Sequence, residues 1–228
     1  MSSKVCCGVL LTAGLAAILS QSTLAAAVNV PGTSNLWLAG MPDGTDAGDN
    51  DFAPGQSPVL VDLAQFGGAL TLRFAASGFV TNGGGGTLFG PRGDTAQISE
   101  HVAGAQFGKS GLLAPLNGLI AVFLDDSDPT LGGTPADLDF TSALSRDFAS
   151  LSPLLKQTFY IGDGMDSLSQ VQDFIIPAGA TRLYLGTMDG FEWNNNEGSF
   201  DVTISVPSPG AVALGVAGLV VAASRRRR

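Results

Sequence analysis

Cysteine is nearly missing from this chain of 228 residues: the only two, Cys6 and Cys7, sit side by side close to the start. A folded body downstream of them has no disulfide framework, no thiolate metal site and no thiol nucleophile. Histidine is scarcer still. With His101 alone, an HExxH zinc motif is excluded, and no Ser-His-Asp arrangement is evident around it. Positive charge is sparse, with 11 Lys and Arg against 20 Asp and Glu. Five of those 11, Lys4 and Arg225–Arg228, lie at the ends, so the body keeps 6 basic and all 20 acidic residues, a net charge of −14. Such a surface repels nucleic acid and anionic lipid and favours cations as partners. Only 14% of residues are charged, whereas Gly numbers 31 and Pro 12. That profile suits short strands joined by tight turns, and no long helical periodicity is visible.

Both ends carry export-type patterns. Lys4 followed by the apolar Val5–Leu19, a polar stretch and Ala25-Ala26-Ala27 reads as a signal peptide over residues 1–27. At the other end, Val206-Pro207-Ser208-Pro209-Gly210 precedes an apolar run of 14 residues, Ala211–Ser224, and then four arginines. That run is shorter than the roughly 20 residues that span a bilayer comfortably, and it reads as a short hydrophobic helix. The arginines would hold the end on the cytoplasmic side; a plain C-terminal anchor is one reading. The order and spacing of residues 206–228 resemble the PEP-CTERM sorting signal, with Ser208 where that family usually has Glu. The resemblance implies recognition by an exosortase, transient contact with the inner membrane, and delivery to the cell surface or an extracellular matrix.

The body, residues 28–205, reads as about eight short strands, an all-β sandwich of jelly-roll type. Val59-Leu60-Val61 is a short apolar strand, and Ala69–Val80 follows with Leu70, Leu72 and Phe74 on one face. Leu119–Leu124 is a central buried strand; Thr158–Ile161 and Asp173–Ile176 are further strands; Asp147–Lys156 suggests one short helix around Pro153. The segment Ala103–Ser110, AGAQFGKS, matches a permissive P-loop expression but has polar TAQISEH before it, and Gly111 and Pro115 break any helix after it. It is rejected as a nucleotide site. Asp43, Asp46, Asp49 and Asp51 lack the EF-hand spacing, and read as a solvated acidic loop or a weak second cation site.

Arg182–Ile204 is the most informative stretch. Two alternating strands flank Asp189-Gly190-Phe191-Glu192-Trp193-Asn194-Asn195-Asn196-Glu197-Gly198, a loop dense in carboxylate and amide oxygens beside two aromatic rings. Oxygen donors of this kind suit a hard cation such as calcium, and Phe191 or Trp193 would present an apolar face beside it. The same composition also describes an ordinary Asn/Gly hairpin loop.

The phrases ALTLRFAASGFVTNG, GPRGD and RLYLGTMDGFEWNNNEGSFDVTI resemble successive pieces of the PA-I type of calcium-dependent, galactose-binding bacterial lectin. The resemblance spans roughly Val59–Ile204 and implies a galactose-binding-domain-like jelly roll. Carried over by position, it implies calcium ligands at Asp189, at the adjacent Asn195 and Asn196, and at main-chain carbonyls near Glu192 and at Asn82. Sugar contacts would fall at Asp189, Asn195 and, in the region of the lectin's histidine, His101, which otherwise reads as a surface residue. The Asp-to-Asn loop is one residue shorter here, the first loop is Gly-rich, and the lectin's tyrosine is replaced by Asn82. Galactose itself is therefore not inherited.

Three functions follow. The leading one is an exported surface or matrix protein whose sandwich binds calcium and carbohydrate, exopolysaccharide included. The second is a structural matrix or adhesion module with no sugar binding. The third is a secreted hydrolase using two of Asp189, Glu192 and Glu197 as a carboxylate pair; one clustered loop of carboxylates fits metal binding or solvation better, so no enzyme is expected. The reading of the ends has its own test. Mass spectrometry of the surface fraction should find a chain starting near Val28 and ending near the Pro-Ser-Pro segment; an intact Arg225–Arg228 tail there would defeat it.

Overall fold

In the computed structural model, residues 24–207 are described. The expected signal peptide, except its last residues, and the expected C-terminal hydrophobic helix with its arginines lie outside them. Twelve strands occur among the described residues: β1 Ala25–Pro31, β2 Val59–Asp62, β3 Thr71–Thr81, β4 Asp94–Glu100, β5 Leu112–Leu116 and β6 Leu119–Leu124, followed by β7 Leu138–Asp139, β8 Ser150–Leu151, β9 Thr158–Tyr160, β10 Asp173–Ile175, β11 Arg182–Thr187 and β12 Glu197–Ser205. They form an all-β sandwich. One sheet runs β1-β12-β3-β10-β8, the second β2-β11-β6-β9, and a small third sheet β4-β5-β7 flanks them. No helix among the described residues is long and apolar enough to cross a membrane.

β12 is the spine of the first sheet. It pairs antiparallel with β1 from Ala25↔Ser205 to Pro31↔Ser199 and with β3 from Glu197↔Thr81 to Ser205↔Arg73. Its Phe200, Val202 and Ile204 point into the core while Asp201 and Thr203 face water, the alternation of a strand with one wet face. β6 and β11 differ: every residue of LIAVFL is buried, and β11 is buried from Leu183 to Thr187. Both are interior strands with one face on the first sheet's side chains and the other under neighbouring segments. The Leu36–Leu38 turn packs there and meets β11 at Gly186. A Cβ on Gly186 would lie 2.6 Å from the Ser34 carbonyl oxygen, so only glycine admits this contact.

Several sequence expectations change. Leu70 precedes β3 and is exposed, leaving Leu72 and Phe74 as the buried pair. The helix expected over Asp147–Lys156 is not formed. Ser150–Leu151 instead pairs parallel with β10, and Pro153 is buried outside any helix; the parallel pairing takes the backbone groups that a helix would need, while Phe148 and Leu151 pack on the core. β1 includes Ala25–Ala27, so the expected start at Val28 falls inside a paired strand. Ala103–Ser110 contains a tight turn in which Gln106 and Lys109 exchange backbone hydrogen bonds, and a strand follows it, β5. Lys109 is buried, donating to the carbonyls of Ala39 (2.9 Å) and Phe107 (3.1 Å). Desolvation lowers its amine pKa to about 7, chiefly against the pull of Asp128. It cannot cradle a phosphate.

The ladder between β3 and β12 ends beside the Asp189 loop, and Gly198 shapes that end. Its φ is +82°, and an added Cβ would come 2.2 Å from the Phe79 carbonyl oxygen. Gly198→Ala should destabilise the domain by about 2–3 kcal/mol, a fall of roughly 4–12 °C in melting temperature for a domain of this size. Gly133→Ala, into open space, should change little. Equal melting of the two variants would show that this backbone is not constrained.

Candidate functional site

The loop after β11 is fixed before it reaches solvent. Met188 is buried and tied to the β5–β6 turn: its N–H donates to Gly118 O (2.8 Å) and its carbonyl accepts from Asn117 (2.7 Å). Asp189 is next, only 6% exposed. Its Oδ1 accepts the Gly190 N–H at 2.6 Å, and the Asn196 amide and the Phe191 N–H also hydrogen-bond its carboxylate. Burial pushes its pKa up; those hydrogen bonds oppose the shift and the nearby Asp51 adds to it. Among the described residues, neither salt bridge involves Asp189: they join Arg73 to Asp173 and Arg92 to Asp163.

Glu192 then takes a left-handed conformation, φ 61°, and starts a 3-10 turn over Trp193–Asn195. Its own side chain does not cap that turn. Asp51 does, from far away in sequence: its carboxylate accepts the N–H groups of Trp193 (3.1 Å) and Asn194 (2.9 Å), and the side-chain amides of Asn194 and Asn35 (both 3.2 Å). Asp51 is therefore not part of a solvated loop, as its neighbours Asp43, Asp46 and Asp49 are. Four donors use up what a carboxylate can accept, which also removes it from any second cation site.

Behind the loop lies an aromatic stack. Trp193 is buried, its Nε1–H donating to Thr187 O at 2.9 Å. Trp37 is stacked on His101 with centroids 3.9 Å apart and planes 13° off parallel, and Trp193 leans on both rings at 5.6 and 5.7 Å. His101, expected at the surface or against a ligand, is only 4% exposed, and its Nδ1–H donates to Gly104 O at 2.8 Å. Burial lowers its pKa, only partly offset by the Gly104 carbonyl and Asp49. It is a neutral plate supporting Trp193, not a rim residue.

The first loop closes the site. Gly83 N–H donates to Asn196 Oδ1 at 3.3 Å, and a Cβ on Gly83 would lie 3.8 Å from Asn195 Oδ1. Asn82 Oδ1 accepts from the buried Asn117 at 3.0 Å, which occupies its side chain and leaves its main-chain carbonyl as its donor to a cation. Asn195 Nδ2 donates to Glu192 Oε2 at 3.2 Å, and Asn196 Nδ2 to Gly32 O at 3.2 Å. The oxygens of Asp189, Glu192, Asn195, Asn196 and Asn82 thus sit on two loops joined through Gly83 and Asn196, and make up the rim. No group of three or more His, Cys, Asp or Glu among the described residues is placed to hold a metal. What this rim offers is one semi-buried carboxylate with amide and carbonyl oxygens, the donor chemistry of a hard cation. The residues that sequence reasoning missed are Asp51, Asn35, Trp37 and Asn117, all of which position the rim.

Asp51→Ala should leave two N–H groups and an amide buried without acceptors, lowering stability by about 3–5 kcal/mol and red-shifting tryptophan emission as Trp193 loosens. Asp43→Ala should do neither. Unchanged melting and emission in Asp51→Ala would show that the loop is held by other contacts.

No protein-family profile and no curated protein sequence matches the chain. Among solved structures it is similar to the EclA N-terminal domain, a PllA-like lectin, at 16% sequence identity and a TM-score of 0.35, over 78% of this chain and 93% of that one.

Proposed function

We propose that this is an exported surface or matrix protein whose sandwich binds carbohydrate through a calcium ion at the Asp189 rim. The observation that carries the reading is Asp189: a carboxylate buried to 6% exposure whose hydrogen-bond partners are neutral N–H donors, and which takes part in neither salt bridge among the described residues. Supporting it are the connection of both loops through Gly83 and Asn196 and the sequence resemblance of the same segments to a calcium-dependent lectin. Asp189 would supply the charge, Asn195 and Asn196 their amide oxygens, and Asn82 and Glu192 their main-chain carbonyls. Calcium bound there would offer coordination positions to two vicinal hydroxyls. The protein's part is to hold those oxygens in place. Asp51 fixes the turn bearing Asn195, Gly32 and Gly83 fix the Asn196 amide, and Asn117 fixes Asn82. Export and exosortase processing belong to the same proposal and rest on the sequence of the two ends.

Calcium should raise the melting temperature of the purified protein, the stabilisation reaching about 2.7 kcal/mol at a hundredfold excess over Kd. The pH dependence has a definite sign. Asp189 has a raised pKa in the folded state, so without calcium the folded protein keeps that proton to higher pH than the unfolded chain does. The burial penalty is absent below the ordinary carboxylate value and full above the raised one. Calcium-free stability should therefore fall, and calcium affinity rise, as pH climbs through that window. Asp189→Asn should abolish the calcium shift and leave the calcium-free fold at least as stable at neutral pH. Asp43→Asn and Asp126→Asn, both at exposed positions, should keep the calcium shift. Equal weakening in all three variants would mean that calcium is held only by diffuse charge.

A further inference from the structure

The two ends of the described chain leave the sandwich side by side. β1 pairs with β12 along its whole length, and just beyond the last pair, Ala25↔Ser205, the Val206 N–H donates to the Leu24 carbonyl at 3.1 Å. The opposite end of β12 begins at Glu197↔Thr81, where the Trp193–Asn195 turn leads into it and Asn82 and Gly83 follow β3. β12 is nine residues long, and at roughly 3.4 Å per residue it puts about 27 Å between the loops of the Asp189 rim and the point of exit. The sequence adjoining that exit is apolar on both sides. Residues 5–19 end five positions before Leu24, and residues 211–224, with four arginines after them, begin five positions after Val206. Five residues span at most about 18 Å when fully extended, so a bilayer that takes up either segment lies within reach of this end of the sandwich.

The surface at the exit fits such a partner. Leu24, 46% exposed, lies over Gly67, where an added Cβ would come 3.3 Å from its Cδ1, and Leu70, 76% exposed, follows three residues later. Residues 63–72 carry no charge, nor do residues 174–181, and the two segments touch where the Ile176 N–H donates to the Leu70 carbonyl at 2.9 Å. The acids that border them are engaged: Asp62 accepts the Ala64 N–H at 2.8 Å, Asp126 the Thr181 hydroxyl at 2.6 Å, and Asp173 pairs with Arg73. At the other end Asp51, Asp189, Glu192 and Glu197 take part in neither salt bridge among the described residues. A body of net charge −14 is held off anionic lipid, and its uncharged end is the one that can approach a bilayer. We propose that in the uncut chain this end is a membrane-facing surface, with Leu24 and Leu70 toward neutral lipid and the Asp189 rim displayed on the far side. This rests on the export reading of the two ends given above and is independent of calcium and sugar.

Both tryptophans of the chain, Trp37 and Trp193, lie at the rim, 5.6 Å apart, so native tryptophan emission already reports that end. The test reconstitutes the full chain in phosphatidylcholine vesicles with or without bromine on the acyl chains, which quenches tryptophan only at close approach. Leu70→Trp and Leu24→Trp each put a reporter at the exit, and Phe191→Trp puts one on the Asp189 loop at a position that is itself exposed; melting of each variant checks its fold, and either exit reporter suffices. Bromination should lower the emission of the exit reporters and leave that of wild type and Phe191→Trp unchanged. Vesicle-bound protein in which Phe191→Trp is quenched, or in which the exit reporters are not, would overturn the inference and leave the membrane reading of the ends standing. Full-length protein that does not float with the vesicles would sink that reading and this inference with it.

Discussion

A buried carboxylate is costly unless its lone pairs are filled, and Asp51 fills all of its own from two distant parts of the chain. Through Asn35 it reaches the Leu36–Leu38 turn, whose Trp37 N–H is itself held by Asn35 Oδ1 at 3.0 Å. Through Trp193 and Asn194 it reaches the turn between β11 and β12. The first of these segments packs on the second sheet, and the other leads into the spine of the first. One side chain therefore joins the two layers at the end of the sandwich where the oxygens gather. Charge-assisted hydrogen bonds are roughly twice as strong as neutral ones, and removing their shared acceptor strands every donor at once. The aromatic stack adds dispersion and shape to the same joint, with His101 filling the space beside Trp37 as a neutral ring.

This joint explains how an exposed loop can keep an ordered backbone. Asn195, Asn196 and Phe191 lie within a few residues of the anchored turn, and each has its backbone or side chain bonded locally. The local order also separates the roles of neighbouring residues. Trp193 is buried and Phe191 exposed, although the sequence presents them as interchangeable aromatics two positions apart.

Much of the sandwich was legible because burial writes itself into spacing. β2, β3, β6, β9, β10, β11 and β12 all lie where apolar alternation or an apolar run marked them. β4 was not, since it is an edge strand with little burial along Asp94–Glu100, so its alternation has no apolar face to show. β5 was obscured by Pro115, which sits opposite Ile98 where the pairing of β4 shifts register; proline is tolerated at such irregularities. β1 was hidden inside a run of alanines that also looks like a cleavage site. The residues Asp189, Asn195 and Asn196 were legible as oxygen donors of one loop, and that loop joins β11 to β12. Asp51 was not, because its sequence neighbours are exposed acids and nothing local distinguishes a carboxylate that caps a turn formed some 140 residues later. His101 was misplaced for the converse reason: a polar side chain among polar neighbours carries no local mark of the two tryptophans that bury it.

The choice of amides over carboxylates on the rim has a physical logic in a body of net charge −14. Crowding several anions into a semi-buried loop would raise every pKa there and strain the fold whenever no cation is bound. Asparagine supplies oxygen donors without that repulsion, so among the proposed ligands only Asp189 brings a buried charge; Asp51, buried nearby, has its lone pairs filled by hydrogen bonds. That one charge is enough to distinguish this loop from the exposed acids elsewhere. Attraction of cations by the exposed acids is general and weakened by salt, while a desolvated carboxylate gains most from a cation placed directly against it. The same economy leaves Asn196 able to serve the calcium-free fold: its amide bonds Asp189, Gly32 and Gly83. Those bonds keep the two loops in contact.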